Sequence, residues 1–158
     1  MHKAFTLVET VVSIGIFSVV IIMGTLMMVA TLRASKKASA VALIRNEGSS
    51  ALNIMTSYIR YASALDCTSA PSSISITPSN GDQIIFDCKT LNNINYIASN
   101  SASLTSSNVK VSSCDIFPNC VPNTSVDIYF SLIKTGTSLP IEQTASSDFG
   151  TTVVLRNK

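Results

Sequence analysis

Tryptophan is absent, and histidine occurs once, at His2. A lone imidazole at the extreme amino end leaves the body of the chain without the usual acid–base side chain for chemistry near neutral pH. The six glycines are scattered, with no G-x-G-x-x-G or G-x-x-x-x-G-K run, so no phosphate-cradling loop is present. The four cysteines include no C-x₂-C spacing, the signature that a structural zinc site usually carries. Charge is also scarce, at 13% of residues against about 25% in a typical soluble domain. The net charge of +2 is too small for a nucleic-acid-binding stripe or an acidic tail. No proline precedes Pro71, so nothing ahead of it forces a helix to end. These absences argue against an enzyme; no cofactor, metal or small-molecule substrate is expected, and nucleic acid is not an expected partner.

What the chain does have is a long apolar run. From Phe5 to Leu32 the only formally charged side chain is Glu9. That is about 28 residues, or roughly 42 Å as a helix, enough to cross a hydrocarbon core. The run is about twice the 7–15 residues of a secretory signal. It is followed by the basic, helical stretch LRASKKASAVALIRNEG instead of an A-x-A-like cleavage site. A plain single-pass anchor would explain the length but not Glu9, because a carboxylate at membrane depth costs at least about 2.5 kcal/mol.

The helical pattern continues beyond the apolar run, and the reading is one helix over Phe5–Leu65. Val41, Ile44, Gly48, Ala51, Met55, Tyr58, Ala62 and Leu65 recur at steps of three and four, with Leu52 and Ile59 alongside. Lys36, Arg45, Asn46, Asn53 and Arg60 fall on the opposite side. Beyond Asp66 serine, threonine and asparagine dominate. ISIT (74–77), QIIFDC (83–88), NINYIAS (93–99), VKVSSC (109–114), SVDIYFSLI (125–133) and TTVVLRN (151–157) read as strands, and Asn80-Gly81 as a hairpin turn. SNSASLTSSN (99–108) and the segment 134–150 read as loops. A helix followed by strands makes an α+β chain, the sheet covering the helix's apolar stripe.

All four cysteines, Cys67, Cys88, Cys114 and Cys120, follow the apolar run. Their even number suits an oxidising compartment and two disulfides, with three pairings open. Cys67–Cys88 with Cys114–Cys120 is the preferred pairing, since each pair brackets a turn-rich stretch. Positive-inside counting points the other way: Lys3 precedes the span, whereas Arg33, Lys36, Lys37 and Arg45 follow it, a bias toward a cytoplasmic carboxy-terminal part. The cysteines take precedence, and the head is expected outside. Asn123-Thr124-Ser125 fits a glycosylation sequon by chance spacing, and Asp82, Asp87, Asp115 and Asp127 lack any EF-hand spacing. Phe117 and Tyr129 are expected as core or interface aromatics.

The opening KAFTLVETVVSIGIFSVVIIMG (3–24) resembles the prepilin-type cleavage and methylation segment of type IV pilins and type II secretion pseudopilins. Lys3 stands as the basic leader residue, and Phe5, Thr6, Leu7 and Glu9 match the F-T-L-x-E pattern in register. Ala4 departs from the usual glycine before the cut by one methyl. The family's mid-span proline, frequent in major pilins, is missing. The closing TTVVLRN is similar to the end of J-type minor pseudopilins.

The resemblance implies a type IV pilin-like fold: a leader over 1–4, a transmembrane or filament-core half-helix over 5–32, an amphipathic half over 33–65 and an antiparallel β-sheet head over 66–158. It implies cleavage between Ala4 and Phe5 by a prepilin peptidase and N-methylation of Phe5, with Glu9 as the assembly charge. It also implies insertion in the cytoplasmic membrane, contact with lipid and an assembly platform there, and recruitment with other subunits into a periplasmic or extracellular filament. Two other readings compete. A monomeric membrane-anchored binding domain needs neither cleavage nor Glu9. A DNA-uptake minor pilin needs a basic head, yet residues 66–158 hold only Lys89, Lys110, Lys134, Arg156 and Lys158 as cations.

Overall fold

A computed structural model describes residues 6–135 and 144–156. Its first element is helix α1, Leu7–Arg60, of 54 residues, about 81 Å long at 1.5 Å per residue. Thr6 caps it: the Thr6 Oγ1 accepts the Glu9 backbone N–H at 3.3 Å. With no proline inside, the helix runs unbroken through Gly15, Gly24 and Gly48. Two antiparallel sheets follow. The first is a meander of β1 (Ala62–Asp66), β2 (Ser73–Pro78), β3 (Ile84–Leu91), β4 (Ile94–Ser99) and β5 (Ala102–Ser103) in that spatial order. In the second, β8 (Ser125–Lys134) is central. The short strands β6 (Val109–Val111) and β7 (Cys120–Val121) pair with it on one side, and β9 (Ser146–Val154) on the other. This is the α+β layout expected from the sequence, a pilin-like arrangement of one long helix packed on antiparallel sheets.

Burial follows the predicted stripe. Ala40, Ile44, Gly48, Ala51, Met55 and Ile59 are buried on the second half of α1, whereas Lys36, Arg45, Asn46, Asn53 and Arg60 are exposed. The stripe lies mainly against β9 and β8. Val126, Ile128, Phe130 and Leu132 alternate inward along β8, as the period of two requires. Burying each large side chain there contributes about 1.5–3 kcal/mol. Tyr58, expected in the stripe, is instead half-exposed with its ring tilted against Phe86 at 6.3 Å.

The helix ends at Arg60, short of the expected Leu65. Tyr61 is the C-cap, and Ala62–Asp66 pair with β2. The register shifts between Ala62 and Ala64. A bulge of this kind brings residues three apart to one face. Ala62 and Leu65 are both buried, so a bulged strand mimics helical spacing. The Arg60 carbonyl accepts the Arg156 N–H at 2.9 Å, which fixes the carboxy-terminal segment to the helix end. Three further differences concern strands. SNSASLTSSN contains the short β5. The Asn92-Asn93 turn has positive φ at both residues (52° and 62°), a conformation asparagine tolerates. It confines β4 to 94–99. Strand β9 begins at Ser146, inside the stretch expected as loop; residues 136–143 of that stretch lie outside the described residues.

The disulfide pairing also differs from the preferred one. Cys67 bonds Cys120, and Cys88 bonds Cys114, with Cα–Cα separations of 5.7 and 5.4 Å. Cys67 follows β1 and Cys88 lies in β3, with β2 between them. Two strand spacings make roughly 10 Å, beyond the ~7 Å reach of a disulfide. Cys114 and Cys120 do not close the CDIFPNC turn on itself. That segment instead buries Ile116 and Phe117, and each bond ties the first sheet to the second. Non-reducing digestion and mass spectrometry should yield peptides linked 67–120 and 88–114; a 67–88 linkage would contradict this arrangement.

Gly48 is where helix and sheet meet most closely. A Cβ added there would lie 2.2 Å from Phe149 Cζ. The Phe149 ring is itself stacked on Phe130 at 5.3 Å, so it has a neighbour behind it. Alanine normally gains about 1 kcal/mol over glycine in a helix. Here overpacking, at about 1–3 kcal/mol, should win. Gly48→Ala is expected to lower the denaturation midpoint, and the loss should vanish in a Phe149→Ala background.

Candidate functional site

Most of the first half of α1 stands clear of the described head, which it meets at Lys37, whose Nζ donates to the Thr144 carbonyl at 2.6 Å. From Leu7 to Ser39 every residue is exposed except the half-buried Ser13. Leu7 is 79% exposed, Phe17 68% and Met27 71%. This stretch is long and apolar enough to cross a membrane as a single anchor, and no part of the described head folds back to cover it. Its hydroxyls point back to their own helix. Thr10 Oγ1 donates to the Leu7 carbonyl at 2.8 Å, Ser13 Oγ to Glu9, Ser18 Oγ to Ile14, Thr25 Oγ1 to Ile22 and Thr31 Oγ1 to Met27 at 2.9 Å. Self-satisfied hydroxyls add no polar cost in an apolar setting and leave small, smooth positions on the surface. Gly15 and Gly24 likewise have nothing within 4 Å of a would-be Cβ. They form two notches in an otherwise bulky cylinder.

Glu9 sits in the first turn of this surface. Thr6 and Leu7 of the expected motif form the cap and the first helical residue, while Lys3, Ala4 and Phe5 lie outside the described residues. Thr6-Leu7-Val8-Glu9 is also a capping-box spacing, a signal the sequence reading passed over. Only half of the box forms: Thr6 accepts the Glu9 N–H, but no described residue gives the Glu9 carboxylate a hydrogen bond or ion pair. An acid near a helix N-terminus gains about 0.3–1 kcal/mol from the aligned peptide dipoles. That is less than the cost of about 2.5 kcal/mol or more at membrane depth. The local helix therefore explains why Glu9 is tolerable in water, not in lipid.

In the head, acidic and amide side chains are engaged one by one. Asp66 accepts from the Thr68 hydroxyl and backbone N–H, Asp82 from Asn80, and Asp115 from the Ser113 hydroxyl. Asp87 pairs with Lys89 at 3.4 Å. Asn123 Oδ1 takes the Leu65 N–H at 2.8 Å and so clamps the turn before β8 to β1. Glu47, absent from the expected sites, reaches across to accept the Ser106 N–H at 3.0 Å. Only the fold brings together residues so far apart in the chain.

Asp127 Oδ1 accepts from Thr152 Oγ1 at 2.6 Å and Oδ2 from Asn119 Nδ2 at 2.9 Å. These two donors, Thr152 foremost, hold its carboxyl below the ordinary 3.8. A carboxyl depressed by folding adds stability above its unfolded pKa and loses it as pH falls through the folded value. Stability should therefore drop more steeply below about pH 4 in the native chain than in Asp127→Asn, with no difference in slope above about pH 5. Thermal melts at constant salt would measure this.

No protein-family model, no curated protein and no solved structure matches this chain. The functional reading therefore stands on the geometry and on the residues themselves.

Proposed function

We propose that the chain is a non-catalytic structural subunit, a minor pilin or pseudopilin of a type IV pilus or type II secretion-like filament. It is held in the cytoplasmic membrane by the first half of α1, with its head outside. The observation that carries this reading is a carboxylate, Glu9, with no partner among the described residues, on an apolar helical half that the described head leaves exposed and that is continuous with that head. Apolar surface of that extent needs lipid or other helices. A lone acid within it needs a cation.

The resemblance of KAFTLVE to the prepilin segment supplies one. Cleavage between Ala4 and Phe5 frees an amine that stays cationic after methylation. The amine and Glu9 are then complementary between neighbouring subunits in a bundle. Leaving one member of a buried pair alone costs about 3–5 kcal/mol. That penalty opposes a wrong axial register, as a buried polar residue does in a coiled coil. The notches at Gly15 and Gly24 favour close helix approach. The disulfides that staple the sheets support a head in an oxidising compartment. Prepilin peptidase, other subunits and the membrane assembly platform are the partners this reading requires.

The test combines one substitution with one mass. Glu9→Gln should leave membrane insertion unchanged and cut incorporation into sheared filaments by about tenfold or more, as loss of a charge pair worth more than 1.4 kcal/mol predicts. The native filament subunit should begin at a methylated Phe5. Unchanged incorporation, or a functional protein that still begins at Met1 or His2, would favour the monomeric anchored domain instead.

A further inference from the structure

A cavity of about 490 Å³ opens on the head where the first sheet is left unfinished. Strand β5 pairs with β4 only at Ala98 and Ser99, and the Leu104 N–H adds one bond to the Ile97 carbonyl. The chain then departs, and Glu47 holds it at Ser106. The stretch 94–96 of β4 pairs with β3 on one edge, and on the other edge no strand pairs with it among the described residues. The gap is walled on one side by Leu91, Ile94 and Tyr96 and on the other by the serine- and threonine-rich 103–107 segment. Further bonds preset this second wall: the Val109 N–H donates to the Ser106 carbonyl at 3.3 Å, and the Thr135 N–H to the Asn108 carbonyl at 2.8 Å.

We infer that this cavity is a binding site for a neutral saccharide. Its volume falls within the roughly 300–1,000 Å³ of small-molecule sites. None of the residues that line it carries a charge. The cation closest in the chain, Lys89, is engaged by Asp87 and by Ser101 Oγ at 2.7 Å. Lys89 thus stands at the cavity edge with its charge already matched by Asp87, and an anionic ligand would have to compete with that carboxylate for it. The walls instead pair an apolar surface that includes an aromatic ring with a rim of hydroxyls and the Asn92 amide. A pyranose has the matching character: C–H groups on its faces and hydroxyls around its edge. Thr105 supplies a second, independent indication. It lines the cavity, it is only 4% exposed, and its Oγ1 has no hydrogen-bond partner among the described residues. Such an unpaired buried hydroxyl is uncommon in folded proteins, and it lies in the wall of a cavity whose ligand would bring hydroxyls to pair with it. An acyl chain or an apolar peptide side chain would leave that hydroxyl and the rim unpaired.

All the residues that line the site belong to the head. The site is therefore tested on the isolated full chain in zwitterionic micelles, free of sugar-based detergent. Cellobiose, maltose, lactose and N,N′-diacetylchitobiose are titrated by isothermal calorimetry and by ligand-observed NMR. At least one should bind. Tyr96→Ala should weaken its Kd about tenfold or more through loss of the stacking face. Thr105→Val keeps the shape and removes the hydroxyl, so it should weaken binding about threefold or more while the melting temperature holds or rises. The inference is overturned if none of the four sugars binds. It is equally overturned if Thr105→Val binds as the native chain does, or if an alkyl phosphocholine or a hydrophobic peptide occupies the cavity in place of sugar.

Discussion

A single helix here passes through two environments, and only one of them is supplied by its own chain. The head covers α1 from about Ala40 to Ile59. Up to Leu32 the same backbone carries apolar side chains around most of its circumference, with no cover from the described residues. Burial of apolar area drives folding in the first case and must drive insertion or association in the second. The rest of the architecture follows from this division. A rigid head is useful only if it stays aligned with the projecting half, and an unbroken helix is the simplest way to keep it so.

The head achieves its rigidity by cross-connection more than by size. Two small sheets, each marginal alone, are tied by two disulfides that both run from one sheet to the other. The turn before β8 is clamped to β1 through Asn123, and the chain's last described residue is bonded to the end of the helix. On the helix itself the absence of a side chain at Gly48 admits the Phe149 ring, which Phe130 supports from behind. A β-carbon in that position would displace the ring. The stripe's glycine is thus a docking point, whereas Gly15 and Gly24 in the projecting half face open space.

How much of this was legible beforehand varied with the range of the interaction concerned. The helix, its buried stripe and the alternation in β8 are local periodicities. They appear in the sequence because each element must present one face to the core. Asn80-Gly81 marked its hairpin, with Gly81 at φ 88°. Asn92-Asn93 did not read as a turn, although both residues take positive φ, because the pair lacks the glycine that usually signals one. Thr151–Val154 read as strand, but the first half of β9, Ser146–Gly150, has no β-branched residue and did not. It becomes a strand because it pairs residue for residue with β8, an instance of tertiary pairing overriding local preference. At the candidate assembly surface Glu9 stood out at once, since a charge in an apolar run is visible without coordinates. The cavity beside Tyr96 did not. Its walls come from segments whose individual residues are ordinary loop serines and threonines.

The order of residues alone determined the long helix, its division into an apolar and an amphipathic half, the isolated acid, and the presence of two disulfides in an α+β chain. These depend on spacing and composition, which the chain carries in one dimension. Only the tertiary structure decided which cysteines meet, where the helix gives way to a bulged strand, and which serines face a gap in the sheet. Each of these is a matter of distance between segments far apart in sequence. Bond reach, strand spacing and the bulk of a single ring set those distances, and none of them has a local signature.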